Sequence, residues 1–250
     1  MQNIKSLQHP LIKHLVKLRD NKSYRLECQA ALISGTKLIL ELSKTHRFKT
    51  LLVVEGNSAP REIRAETIVF VTEEIMKKIT LLQKPEPFAA EIPLPSYGAL
   101  PKGKDLLILD RISDPGNLGN LLRTAFALGW ESIFLTTHTV DPFNDKALRA
   151  AKGATFHLNI QIGSYEEIEK LLSTHSLSLL IAEVGGTPLA QYKPKHPIAL
   201  VLGNEAHGSD PRLQSKGEKI AIPIDPKMES LNVSSAGAIL MFHLKNGCSQ

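Results

Sequence analysis

The apolar positions of this chain fall into two rhythms, one in its first ninety residues and another after residue 105. In residues 10–19, PLIKHLVKLR, Leu11, Ile12, Leu15, Val16 and Leu18 recur at helical spacing, with Lys13, His14, Lys17 and Arg19 mostly between them. That predicts a short amphipathic helix with a basic face. Residues 31–44, ALISGTKLILELSK, read as a strand, a break at Gly35 and a helix. Residues 50–56 and 67–72 read as buried strands rich in β-branched residues, and 72–79 as a helix capped by Thr72. From 105 onward the alternation is more regular. Residues 105–110, 132–136, 156–162, 177–184, 198–203 and 219–224 predict strands, and 117–128, 144–151, 165–173 and 233–245 predict helices. Continuous apolar strands alternating with helices imply an α/β fold with a mostly parallel sheet covered on both faces.

Between the two regions lies LLQKPEPFAAEIPLPSYGALPKGKD, residues 81–105, with Pro85, Pro87, Pro93, Pro95 and Pro101. Proline fixes φ and removes a backbone donor, so this stretch reads as a linker with a domain boundary near 90–103. The expected organisation is a small α/β domain over 1–95, a Pro/Gly-rich linker over 96–103 and a larger α/β domain over 104–250.

Composition narrows the class. Hydrophobic residues make up 42% and charged residues 22%, values of a folded chain rather than a disordered one. No stretch approaches the roughly 18 unbroken apolar residues of a membrane span. The N-terminus lacks the apolar core and cleavage site of a signal peptide, and Cys28 and Cys248 form no motif. A cytoplasmic protein is expected. Residues 1–50 hold ten Lys and Arg against three Asp and Glu, while 101–250 are balanced, so the chain's net charge of +5 comes from its first part. Clustered positive charge suits a polyanion such as nucleic acid, and equally a solvated helix surface.

Three predicted strand ends carry unusual sequence, and in sheets of this kind ligands bind at the carboxyl ends of strands. The first, LDRISDPGNLGNLLRTAFALGW (109–130), holds a turn in which Asn117 suits a helix N-cap. Six residues on, Arg123 is long enough to reach back toward that turn and grip a phosphate or carboxylate. The second, ALVLGNEAHGSD (199–210), ends a strand in Gly203, followed by Asn204, Glu205 and Gly208. The two glycines suit a tight loop on which a flat ligand lies. The third, IPIDPKMESLNVSSAGAILMF (222–242), puts Glu229, Ser230, Asn232, Ser234 and Ser235 between apolar elements, as helix caps or as a site. No metal-ligand spacing is present, so no metal site is expected. Gly-rich dinucleotide, P-loop and nucleophile-elbow motifs are absent too.

These three stretches, in this order, closely resemble the motifs of the SpoU/TrmH family of RNA 2′-O-ribose methyltransferases, within the SPOUT superfamily. The matching segments are DPGNLGNLLRTA, LGNEAHG and IPIDPKMESLNVS, within about residues 104–247. NIKSLQHPLIKHLVKL and ALISGTKLILEL resemble the opening of the small ribosomal-protein-like RNA-binding domain that precedes it in many members, although Ser34 stands where many have Glu. The resemblance implies a deep trefoil knot at the C-terminus, S-adenosylmethionine as cofactor, and a homodimer with the active site at the subunit interface. By matched position it implies that Gly203, Ile222 and Leu231 line the cofactor pocket. Asn117, Arg123, Glu205, Ser230 and Asn232 would form the catalytic group. The implied substrate is structured RNA, ribosomal RNA in preference to tRNA. A catalytically inactive RNA-binding member of the fold is the other reading. Because a sulfonium methyl is already activated, positioning and electrostatics would carry most of the rate. A guanidinium stays protonated, which favours electrostatic help from Arg123, or relay through the RNA phosphate, over a role as base.

Overall fold

The structure, a computed structural model, describes residues 2–96, 98–193 and 195–246. Tyr97, in the expected linker, and Cys248 lie outside these residues. In chain order the first elements are β1 (Gln2–Ile4), α1 (Pro10–Asp20), α2 (Lys22–Cys28), β2 (Ala30–Ser34), α3 (Thr36–Leu42), β3 (Phe48–Val54), β4 (Ala65–Val71), α4 (Glu73–Thr80) and β5 (Phe88–Pro93). There follow β6 (Leu106–Leu109), α5 (Pro115–Ala127), β7 (Ser132–Thr136), α6 (Asp145–Ala151), β8 (Asn159–Gly163), α7 (Tyr165–His175) and β9 (Ser178–Pro188). The last are β10 (Ile198–Leu202), α8 (Pro211–Gln214), β11 (Glu218–Ala221) and α9 (Val233–Asn246). No helix among the described residues is long and apolar enough to cross a membrane.

The chain divides into two compact units, Met1–Pro95 with Phe143–Phe156, and Ser96–Pro142 with His157–Gln250. The first unit holds a mixed sheet in the order β1-β4-β3-β5-β2. Ile12, Leu15 and Leu18 of α1 are fully buried beneath it with Leu52 and Val69. The other face carries Ile33, Ile39 and Leu42, joined by Phe143, Leu148 and Phe156. Those three apolar side chains explain why a segment from the second half of the sequence belongs to this unit.

The proline-rich stretch is not all linker. Phe88–Pro93 forms β5, antiparallel to both β3 and β2 in the middle of the sheet. Pro87 lies just outside the strand and Pro93 ends it, so neither interrupts the ladder. The strand also buries Glu91, whose carboxylate accepts from Thr50 Oγ1 at 3.1 Å and pairs with His14 Nε2 at 3.2 Å. Helix α2 and strand β1 were not anticipated from the pattern either.

The second unit holds a six-stranded sheet, β11-β9-β10-β6-β7-β8, in which every pair is parallel. Strands β6, β7 and β10 are buried at every position, as expected of strands covered on both faces. Helix α9 lies against α5 with almost no separation at Gly237, where an added Cβ would stand 2.5 Å from Leu121 Cδ2 and 2.7 Å from Leu202 Cδ1. The fully buried Trp130 donates its indole N–H to the Met241 carbonyl at 3.2 Å, tying α9 to the turn after α5.

Candidate active site

Because β6, β10, β9 and β11 run parallel, the ends of β6, β10 and β11 fall on one edge of the sheet. Three segments meet there. After β6 the chain turns through Ser113 and Asp114 into α5. Asp114 is the N-cap, accepting from the Asn117 backbone N–H at 2.8 Å, with Pro115 opening the helix. Asn117 is therefore not the cap expected from its residue type, and its side chain is left for other partners. Its Nδ2 donates to Glu205 Oε1 at 2.9 Å, and its Oδ1 accepts from Asn232 Nδ2 at 3.0 Å. The other carboxylate oxygen of Glu205 accepts from Ser113 Oγ at 3.2 Å.

Asn232 itself caps α9. Its Oδ1 accepts from the backbone N–H groups of Ser234 and Ser235 at 3.0 and 3.4 Å, and from Ser234 Oγ at 2.6 Å. Of the five polar residues that could cap, Asn232 takes the role, and its two ends serve two purposes. One oxygen starts a helix; the amide nitrogen holds Asn117.

Beside this chain of side chains lies a cavity of about 370 Å³. Its walls include Gly203, Glu205, Ile222, Ser230 and Leu231, each singled out from the sequence, and the apolar Leu202, Val233, Ala236 and Leu240. Gly203 allows the loop to close: a Cβ there would sit 2.3 Å from the Ser209 backbone nitrogen and 2.4 Å from the Gly208 carbonyl carbon. Residues 182–186 leave the β9–β11 ladder, since Ile181 pairs with Lys219 and Thr187 with the next residue, Ile220. That excursion brings Ala182, Glu183 and Val184 into the wall.

Arg123 is placed differently. It is exposed on α5 and makes no hydrogen bond or ion pair among the described residues. Six residues correspond to about 9 Å of rise and about 120° of rotation from Asn117, so the expected reach back to the turn is not made within this chain. Ser230 is likewise without a hydrogen bond among the described residues.

Several residues of the site gave no sign in the sequence reading. Asp110, fully buried at the end of β6, accepts from Tyr165 Oη at 2.7 Å and from the Asp210 backbone N–H at 2.8 Å. Burial and then that Asp110 bond push the Tyr165 hydroxyl well above the usual phenol range. The Arg212 hydrogen bond holds the Asp210 carboxyl below its ordinary value. Arg111 bonds to the 204–208 loop. Glu183, a carboxylate inside the apolar run LSLLIAEV, is the one whose pattern does mark it.

The cavity suits a mostly apolar, flat-ringed ligand of cofactor size, roughly 300–1,000 Å³ being the range of small-molecule sites. Two shielded polar atoms near it, Glu183 Oε2 and Ser209 Oγ, have no hydrogen-bond partner among the described residues. Such atoms are rare in folded chains and mark places where a further polar group belongs. S-adenosylmethionine, with an adenine ring for the apolar walls and ribose and amino donors for the polar ones, fits these residues.

An α/β chain with a small-molecule cavity where three parallel strands end is the class that this fold and site define. Residues 105–242 match the model of the SpoU rRNA methylase family, and 9–90 match that of the MRM3-like substrate-binding domain. A 23S rRNA guanosine 2′-O-methyltransferase of Bacillus subtilis, RlmP, is 31% identical over 98% of this chain and 100% of its own length. An uncharacterised tRNA/rRNA methyltransferase of Synechocystis is 30% identical over 97% of this chain and 93% of its own. Among solved structures, an AdoMet-bound rRNA methyltransferase of Sinorhizobium meliloti superposes with a TM-score of 0.88 at 25% identity, covering 100% of this chain and 99% of that one. The SpoU methyltransferase AviRb of Streptomyces viridochromogenes shares the fold, with a TM-score of 0.86 at 19% identity over 96% of this chain and 98% of that one. This chain belongs to the SpoU rRNA methylase family.

Proposed function

We propose that the chain transfers a methyl group from S-adenosylmethionine to a ribose 2′-hydroxyl of ribosomal RNA, acting as a cytoplasmic homodimer whose C-terminal segment is knotted. The observation that carries this reading is the hydrogen-bonded series Ser113–Glu205–Asn117–Asn232, which joins three strand ends beside the cavity. When bound, S-adenosylmethionine supplies an electrophilic methyl on a sulfonium. Gly203, Ile222 and Leu231 would hold its nucleoside end among apolar surfaces. Asn117, fixed at both ends of its amide, holds the Glu205 loop against α9, and Ser230 faces the cavity beside it. Arg123 orients the RNA phosphate next to the reacting ribose, lowering the barrier to losing the hydroxyl proton.

A second copy would account for Arg123 making no hydrogen bond or ion pair among the described residues of one chain. Three residues further along α5, Phe126 is 43% exposed, and on α9 Ile239 and Phe242 are 44% and 59% exposed. Phe126 stacks on His157 with ring centroids 5.2 Å apart. Large apolar side chains exposed on two helices that pack on each other favour coverage by a partner. A second copy seated there would bring its own Arg123 to the site.

The RNA reading needs cations that are free to bind phosphate, and the structure sorts them. Arg19 Nη1 donates to the Lys78 and Ile79 carbonyls, Arg25 Nη1 to those of Leu18 and Arg19, and Lys49 Nζ to that of Cys28. These cations close helix ends rather than face a partner. Lys44, Arg47 and Arg64 instead border a concave surface pocket of about 470 Å³, and none has an ion pair among the described residues. They support an RNA contact that draws on residues beyond the first fifty.

The test is incorporation of labelled methyl from S-adenosylmethionine into purified rRNA and tRNA, with R123A alongside. Label in rRNA that R123A loses supports the reading. Label confined to tRNA, or equal incorporation by R123A, contradicts it.

A further inference from the structure

We propose that Arg111 is a positioning residue for the methyl transfer inferred above, on which this inference rests: it clamps the Gly203–Gly208 loop and so fixes Glu205 and Asn117. Arg111 follows β6 directly and has φ +57°, a left-handed conformation that glycine and asparagine adopt readily and a long side chain rarely does. Backbone hydrogen bonds, one side-chain hydrogen bond and an ion pair hold the conformation. The backbone N–H donates to Thr136 Oγ1 at 2.9 Å, and the carbonyl accepts from Asn204 Nδ2 at 2.9 Å. The guanidinium Nη2 donates to the Gly208 carbonyl at 3.2 Å, while Nε stands 3.4 Å from the buried Asp110 carboxylate.

Asn204 and Gly208 are the two feet of the loop, hydrogen-bonded to each other at 3.0 and 2.9 Å. One residue therefore grips both feet, one through its backbone and the other through its side chain. Between them stands Glu205, the acceptor for Asn117 and Ser113. The carboxylate that pairs with Arg111 also accepts from the Asp210 N–H at 2.8 Å, extending the clamp past the loop. A glycine would satisfy the backbone here and keep the Thr136 and Asn204 bonds. What arginine adds is a second anchor, on Gly208, and an ion pair with the buried Asp110 carboxylate.

This separation makes the test specific. R111G relieves the left-handed strain and removes the guanidinium; R111N does the same with a different backbone partner. In both, kcat should fall about tenfold or more with KM for RNA little changed, because misplacement rather than lost RNA binding slows the step. R111K, which keeps the charge near Asp110 but not the forked donors, should be intermediate. Hydrogen exchange of the 204–208 amides, measured without substrate, should quicken in R111G. A wild-type kcat in R111G, a rise in RNA KM at constant kcat (a direct RNA contact), or unchanged exchange in the loop each overturns the proposal. If wild type transfers no methyl to RNA, the proposed function fails, and the exchange experiment still decides whether Arg111 holds the loop.

Discussion

Asn117 is the junction at which the site can be taken apart. N117A removes a donor to the Glu205 carboxylate and an acceptor for Asn232, and leaves the helix start intact because Asp114 bonds the backbone of residue 117. A hydrogen bond to a charged group contributes about 1.5–3 kcal/mol and a neutral one about 1 kcal/mol, and partial exposure of this site favours the low end. A loss on the order of 2 kcal/mol follows, or a fall in melting temperature of roughly 4–8 °C for a chain of this length. N117D is the sharper perturbation. It keeps the acceptor for Asn232 but sets a second carboxylate where a donor stood 2.9 Å from Glu205 Oε1. Two carboxylates at that separation raise the pKa of the pair, so one proton is shared below the raised value and lost above it. The damage in N117D is therefore greatest at neutral and higher pH and eases as pH falls through the raised pKa; that of N117A lacks this dependence. Methyl transfer and thermal melting, each measured from pH 5 to 8.5, read both effects. N117D matching wild type across that range, or failing equally at every pH, would refute the bridge.

Three further outcomes follow from the geometry. G203A places a methyl 2.3 Å from the Ser209 nitrogen, so calorimetry with S-adenosylhomocysteine should show binding weakened at least tenfold; wild-type affinity would remove Gly203 from the pocket wall. Tyr165, whose pKa is raised in the folded protein, adds stability that is complete below the ordinary phenol value near 10 and declines as pH rises above it, and Y165F should lessen that decline in urea melts. Reversing Lys44, Arg47 and Arg64 to Glu should weaken rRNA binding and reduce the slope of log affinity against log salt by about 2–3, whereas K13E/K17E on α1 should do less; the opposite ranking would move the RNA surface to α1.

The second unit was legible because its strands β6, β7 and β10 are buried on both faces. Runs such as LLIL and IALVL are too short for buried helices, and their ends carry the loops where a ligand belongs. What the residues could not reveal is which of several equivalent side chains takes a given job. Asp114 and Asn117 are both good caps; Asp114 took the cap, freeing Asn117 for Glu205. Asn232, Ser234 and Ser235 are likewise interchangeable by type, and only the start of α9 at Val233 selects Asn232. Proline density hid β5, since prolines at strand ends do no harm and the apolar core of the strand contains a carboxylate, Glu91, that only its His14 and Thr50 partners make tolerable. Charge counting cannot tell a cation that closes a helix end, as Arg19 and Arg25 do, from one that faces solvent. The left-handed Arg111 had no sequence signal at all; glycine or asparagine would have supplied one.

The central claim is tested most directly by finding the methyl group. rRNA incubated with the protein and labelled S-adenosylmethionine, then digested to nucleosides and resolved by mass spectrometry, should yield a labelled 2′-O-methylnucleoside at one position, with the adjacent linkage resistant to alkali. Label on a base, or no label in rRNA from a strain lacking this protein, would contradict the account.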